Sequence, residues 1–241
     1  MNRRALASST RYAYLSYLRN LLRELWEVHG APKLDGHVPH VPKAQPRNIT
    51  ANTGEIDALM RAASPSIRAM LVFCSDLAIR SGTAVRIGPH DYDSESGKLF
   101  FQTKMGERVK LPVTLAARQI IESCDLKNPL PFITQIRLVE TKNCGRPMAN
   151  DVVDVSQLRN ELADLRDSLG LKRIVFHDLR RTSAVNLLRY TKDLRMVQAY
   201  LGHGSLQSTF HYLANEIDPV KLEDLEAIKK PFIVHRKGKS A

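Results

Sequence analysis

The sequence has no apolar run of the length a bilayer-spanning helix needs, so a soluble protein is expected. Its three cysteines, Cys74, Cys124 and Cys144, are odd in number, far apart and form no C-x-x-C pair. That argues against a disulfide framework and against a structural zinc site, and it suits a reducing cytoplasm. No H-E-x-x-H motif is present either, so metal-dependent hydrolysis has no sequence support, even though His177, His203 and His211 lie in one region. Acid is scarce relative to base: 25 Asp and Glu stand against 36 Lys and Arg, a net charge of +11 with a pI near 9.7. Such a balance favours polyanionic partners, either nucleic acid or an anionic membrane surface. The cations are spread along the chain and do not form one basic amphipathic stripe, which disfavours the membrane. There is no internal repeat and no long low-complexity tract. What is present, 43% hydrophobic residues over 241 positions, is enough for one domain of ordinary size plus a smaller appendage.

The start, MNRRALASSTRYAYLSYLRNLL, is basic and Ser-rich, as a transit peptide would be. Yet Tyr14, Leu15, Leu18, Leu21, Leu22, Leu25 and Trp26 recur at helical spacing, and Gly30 then Pro32 end the pattern. The reading is a packed helix within residues 1–30. Residues 31–48 are rich in proline and read as an extended, semi-rigid linker. Asn52 with Glu55 resembles a capping pair opening a helix to about Ala63, and SIRAMLVFCSDLAI gives a more apolar one. GKLFFQTKMGERVKLPVT changes period and signals a β-hairpin. Helices follow near 114–124 and 155–169, whereas 126–151 reads as irregular.

In the last third, IVFHDLRRTSA leads to His177 and Arg180, one turn apart and on one face of a helix, where two cationic donors suit an anion. Leu194, Val197 and Leu201 make a core-facing helix that Gly202 closes, leaving His203 in a tight turn. A short helix from about Ser205 carries Tyr212 near its C-terminal end. DPVKLEDLEAIKK, residues 218–230, reads as one more helix, and HRKGKSA as a basic tail.

These residues resemble the tyrosine recombinase (phage integrase) family. His177 and Arg180 match its H-x-x-R box, Leu201, Gly202 and His203 its L-G-H turn, and Tyr212 its nucleophile. Arg180 lies 23 positions before His203, and Tyr212 lies 9 after it. Arg80 in DLAIRSG matches the family's first arginine and Lys104 its hairpin lysine, and all six occur in the family's order. The resemblance covers roughly residues 47–230. It implies a mainly α fold with a small antiparallel β-hairpin sheet (α+β). The expected layout is an N-terminal helix (1–30), a linker (31–48), a catalytic domain (49–231) and a basic tail (232–241).

The implied activity is site-specific cutting and rejoining of double-stranded DNA through a 3′-phosphotyrosyl intermediate, as in integration, excision or inversion of a mobile element. No cofactor, metal or ATP is expected, and four protomers on two DNA sites are. Elementary chemistry favours those residue types. Arginine's planar, permanently charged fork suits the negative charge on non-bridging phosphate oxygens. A phenol with a reference pKa of about 10 needs a base or a strongly positive site, so His177 is the candidate base. Lys104 is placed to protonate the departing 5′-oxygen and His203 to donate to a phosphate oxygen.

The match has departures. Thr83 stands where family members often carry an acid three positions after the first arginine. Fewer than about fifty residues precede the catalytic region, too few for the usual helical bundle, so weak and salt-sensitive DNA binding is expected. The alternatives are a non-catalytic DNA-binding remnant that regulates recombination and a type IB topoisomerase. Thr10, Arg11, Lys43, Arg47 and Arg181 are candidate DNA-backbone contacts. A cytoplasmic, nucleoid-associated location follows if the source is bacterial.

Overall fold

The computed structural model describes residues 7–42, 49–103, 106, 108–141, 153–171 and 173–213, with His211 described by its backbone alone. Lys43, Arg47, Lys104, the expected helix over 218–230 and the basic tail lie outside the described residues. Two compact units divide at Arg47/Asn48.

The first unit is built on α1, Ser8–His29, which ends at Gly30 in the left-handed conformation. The expectation of a packed helix is not met: none of its residues is buried, and Tyr17 and Val28 are 72% and 68% exposed. Periodicity announces an apolar stripe but not what covers it. Nor is the described part of the segment after α1, residues 31–42, simply an extended spacer. It turns through Asp35–His37, and Arg19 Nη2 donates to the carbonyls of Val38 (3.2 Å) and Pro39 (3.3 Å). Lys33 Nζ sits 4.4 Å over the Trp26 ring. Backbone carbonyls left without a ladder by proline are met by an arginine fork, and the chain folds back along α1.

The second unit is mainly helical with one small sheet. Its helix α2, Thr53–Ala62, opens on a reciprocal capping box between Asn52 and Glu55. Next comes α3, Pro65–Ser75, started by Ser64 and proline at N1. From Ser66 to Cys74 all of α3 except Arg68 is buried, so it forms the centre of the core. Around it pack α5 (Leu115–Glu122), α6 (Phe132–Glu140), α7 (Val155–Ser168) and α8 (Phe176–Thr191). Strands β1 (Tyr92–Asp93), β2 (Lys98–Gln102) and β3 (Arg108–Pro112) form an antiparallel sheet, with Leu99 opposite Leu111 and Phe101 opposite Val109. In β3, Val109 and Leu111 face the core while Arg108 and Lys110 face outward.

Helix α6 corrects the irregular reading of 126–151. Its apolar residues Phe132, Ile133 and Ile136 are interleaved with buried polar ones, which blurs the periodic signal. Gln135 earns its burial by accepting from Asp125 N–H (3.0 Å) and donating to Leu130 O (2.9 Å). Arg137 then ion-pairs with Glu161 of α7 and Glu140.

The chain ends, as described, in α9 (Leu194–Leu201) and α10 (Leu206–Leu213). A second hydrophobic cluster of Ala78, Ala184, Val185, Val197, Leu201 and Leu213 joins these two helices to α8 and to the segment after α3.

Candidate active site

The site is assembled from chain turns. After α3 the backbone reverses at Ala78, a buried non-glycine residue in the left-handed region (φ 48°), with Ile79 N–H bonded back to Phe73 O at 3.0 Å. That conformation costs on the order of 1–2 kcal/mol, and it aims the Ala78 carbonyl at Arg180 and places Arg80 at the start of the short α4, Ser81–Ala84. Thr83 lies buried in α4. Opposite, α8 begins where the buried Asp178 carboxylate accepts from Val175 N–H at 2.9 Å, so His177 and Arg180 occupy its first turns.

Arg180 is 3% exposed. Its guanidinium donates to Ala78 O and, at 2.7 Å, to Leu201 O, so it holds the turn after α3 to the end of α9. Burial and the nearby Arg80 lower its pKa to about 10, so it remains a cation at neutral pH. The same Nη2 lies 3.3 Å from His203 Nε2. Gly202 turns the chain at φ +58°, and Gln198 Nε2 fastens the turn by donating to His203 O at 2.9 Å. His203 Nδ1 meets Thr209 Oγ1 at 3.0 Å.

Ser205 caps α10 by accepting from Ser208 N–H, and the buried Thr209 and Leu213 anchor the helix. Tyr212, on the flank of that face, sets its ring edge-on to His177 (5.4 Å between centroids) and His203 (5.8 Å). Its hydroxyl donates to the His177 backbone carbonyl over a long 3.4 Å, so the imidazole ring does not yet hold it. Arg181 does not point at solvent: it is 3% exposed, donates to Tyr212 O and lies 5.6 Å from the Tyr212 ring. Expected at a DNA backbone, it instead tethers the tyrosine's helix, because residues 180 and 181 of α8 both face the core.

Arg80, His177, Arg180, His203 and Tyr212 line one open cleft of about 460 Å³ together with Gly204, Ser205 and Ser208. Among the described residues no carboxylate lines it, so it is suited to an anion. Burial, then Arg180, pushes the His177 pKa down, and the same causes in the same order bring His203 to about 4. Both are neutral at pH 7. Burial outweighs the surrounding arginines for Tyr212 and raises its pKa to about 12, leaving about one phenolate in 10⁵ at pH 7. Thr10 is half-buried and Arg11 exposed in the first turn of α1. Beside the cleft, Arg108, Lys110 and Arg195 line a second groove of about 320 Å³ with His203. Among the described residues, no three His, Cys, Asp or Glu side chains gather as a metal site requires, and no helix is long and apolar enough to cross a membrane.

The sequence pattern of the phage integrase family matches residues 50–217, the span that contains the whole cleft. The chain belongs to the phage integrase family. Among curated members, the tyrosine recombinase XerC of Escherichia coli is 26% identical over 90% of this integrase-family chain and 75% of its own length. An integrase/recombinase of Sinorhizobium fredii is 30% identical over 60% of this chain, a match that spans 45% of that relative. In fold, the chain is similar to lambda integrase, solved as a dimer bound to a core site: TM-score 0.66, 16% identity, 89% of this chain and 77% of that one. Lambda integrase has also been solved as a tetramer bound to a Holliday junction.

Proposed function

We propose that the protein cuts and rejoins DNA strands at specific sites, with Tyr212 as nucleophile and a 3′-phosphotyrosyl intermediate. The observation that carries this reading is the convergence of Arg80, His177, Arg180, His203 and Tyr212, from separate segments, on one cleft that no carboxylate lines among the described residues. The relatives named as recombinases and the DNA-bound neighbours of the same fold support it.

In the proposed reaction the Tyr212 oxygen attacks phosphorus in line. The Tyr–O–P bond forms as the bond from phosphorus to the 5′-oxygen breaks. The phenolic proton leaves to His177, whose lowered pKa keeps it neutral and able to accept. The 5′-oxygen takes a proton from Lys104. Arg80 and Arg180 offset charge on the non-bridging oxygens. Arg180 is suited to this because two backbone carbonyls already hold its fork rigid, so little reorganisation accompanies phosphate binding. No ATP enters, since the phosphodiester energy is kept in the protein–DNA linkage and reversal with another 5′-hydroxyl rejoins strands. Double-stranded DNA is the substrate, and a homotetramer on two sites is the working assembly.

The test is covalent trapping on nicked duplex fragments from the source DNA, followed by denaturation and sequencing of the attached ends. Adducts on a 3′-phosphate that disappear in Tyr212→Phe support the reading. Firm DNA binding without adducts refutes it and leaves a regulatory DNA-binding protein.

A further inference from the structure

His203 stands between two partners that together dictate where its proton lies. Its Nε2 is 3.3 Å from Arg180 Nη2, and a guanidinium nitrogen can only donate, so Nε2 accepts and is bare. The proton of the neutral ring therefore sits on Nδ1, pointing at Thr209 Oγ1 at 3.0 Å. In that state the ring has no N–H to offer a phosphate oxygen in the cleft.

To donate from Nε2 the neutral ring must change tautomer, and Nδ1 must then be the acceptor. Thr209 is 0% exposed and its hydroxyl is the partner the structure sets against Nδ1, so that hydroxyl must serve as the donor to it. A hydroxyl serves both states: it accepts from Nδ1–H, or rotates about Cβ–Oγ and donates to bare Nδ1. An anion competing for Arg180 Nη2 frees Nε2 and so favours the second state.

We propose that Thr209 is a positioning residue for strand transfer, the two-way partner that lets His203 change from accepting from Arg180 to donating to the bound phosphate. The inference rests on the strand-transfer reading. In the exchange Nδ1 releases one proton to solvent, Nε2 takes one from solvent, and the hydroxyl reverses its direction, so ring charge is unchanged. Thr209 also precedes Tyr212 by three residues and Leu213 by four on α10, so it shares a helical face with the nucleophile and its anchor. Seating α10 correctly seats Tyr212 and completes the Thr209–His203 bond together.

The test uses the full chain with ¹⁵N-labelled histidine. Long-range ¹H–¹⁵N correlation at pH 7 is expected to show His203 as the Nδ1–H form, moving toward Nε2–H when inorganic sulfate fills the cleft. Thr209→Ser is expected to retain this behaviour and Thr209→Val to lose it. On nicked duplex, Thr209→Val is expected to lower cleavage by about 10²-fold, the scale of one lost transition-state donor, with near-wild-type DNA affinity, while Thr209→Ser restores cleavage. In a His203→Ala background Thr209→Val is expected to add nothing. An Nε2–H ring in the anion-free wild type, or an equal loss with and without His203, overturns the inference. Wild-type protein that cleaves nothing overturns the strand-transfer reading, whereas wild-type and Thr209→Val chains that cleave equally overturn this inference alone.

Discussion

Val109 of β3 stands so close to Gly202 that a Cβ on the glycine would lie 2.5 Å from Val109 Cγ2. The L-G-H turn thereby packs directly against β3, next to His203. Gly202→Ala is expected to cost roughly 1–2 kcal/mol for the left-handed backbone and a further 1–3 kcal/mol for overpacking. Adding Val109→Ala removes the clash but not the backbone cost, so in urea unfolding the double variant is expected to lose less stability than the sum of the two singles. Strict additivity refutes the close approach.

Arg180 is a tether as well as a cation. Arg180→Ala strands the carbonyls of Ala78 and Leu201 in the core and is expected to destabilise the protein by roughly 2–5 kcal/mol. Among the described residues Tyr212→Phe loses the long bond to His177 O, and it is expected to stay within about 1 kcal/mol of wild type. Equal melting temperatures for Arg180→Ala and wild type would sink the tether role.

The histidines give stability a pH dependence of definite sign. Folding lowers the His203 pKa from 6.5 to about 4, so between those values the unfolded chain binds more protons than the native one. Stability is therefore complete above about pH 6.5 and is lost as pH falls toward 4, and His177 acts in the same direction. Thermal melts of His203→Asn across that window are expected to fall less steeply with acidification than wild type.

The groove of Arg108, Lys110 and Arg195 is expected to follow the DNA backbone beside the cleft. Single alanine substitutions are expected to reduce the log–log salt slope of duplex affinity by about 0.9 each, uniformly across sequences. Unchanged slopes exclude phosphate contact there.

Signals carried within a few residues of chain were legible from the start. The Asn52–Glu55 box, the hairpin alternation and the closure of α9 at Gly202 depend on neighbours in sequence and appear in the structure. The H-x-x-R, L-G-H and tyrosine spacings name His177, Arg180, His203 and Tyr212, which line one cleft. Helix α6 was not legible, because Thr134 and Gln135 are buried polar residues whose partners lie elsewhere in the chain.

By itself, the amino-acid order determined the class of fold, the anion-seeking charge and the set of chemically apt residues, since propensity, periodicity and charge are properties of local sequence. Only the tertiary structure decided what those residues do. It turned Arg181 inward onto Tyr212, spent the Arg180 fork on carbonyls 102 and 21 residues away, forced Ala78 into the left-handed region and gave His203 a buried hydroxyl partner. Burial and hydrogen-bond pairing are set by which distant segments meet, and no local pattern encodes that meeting.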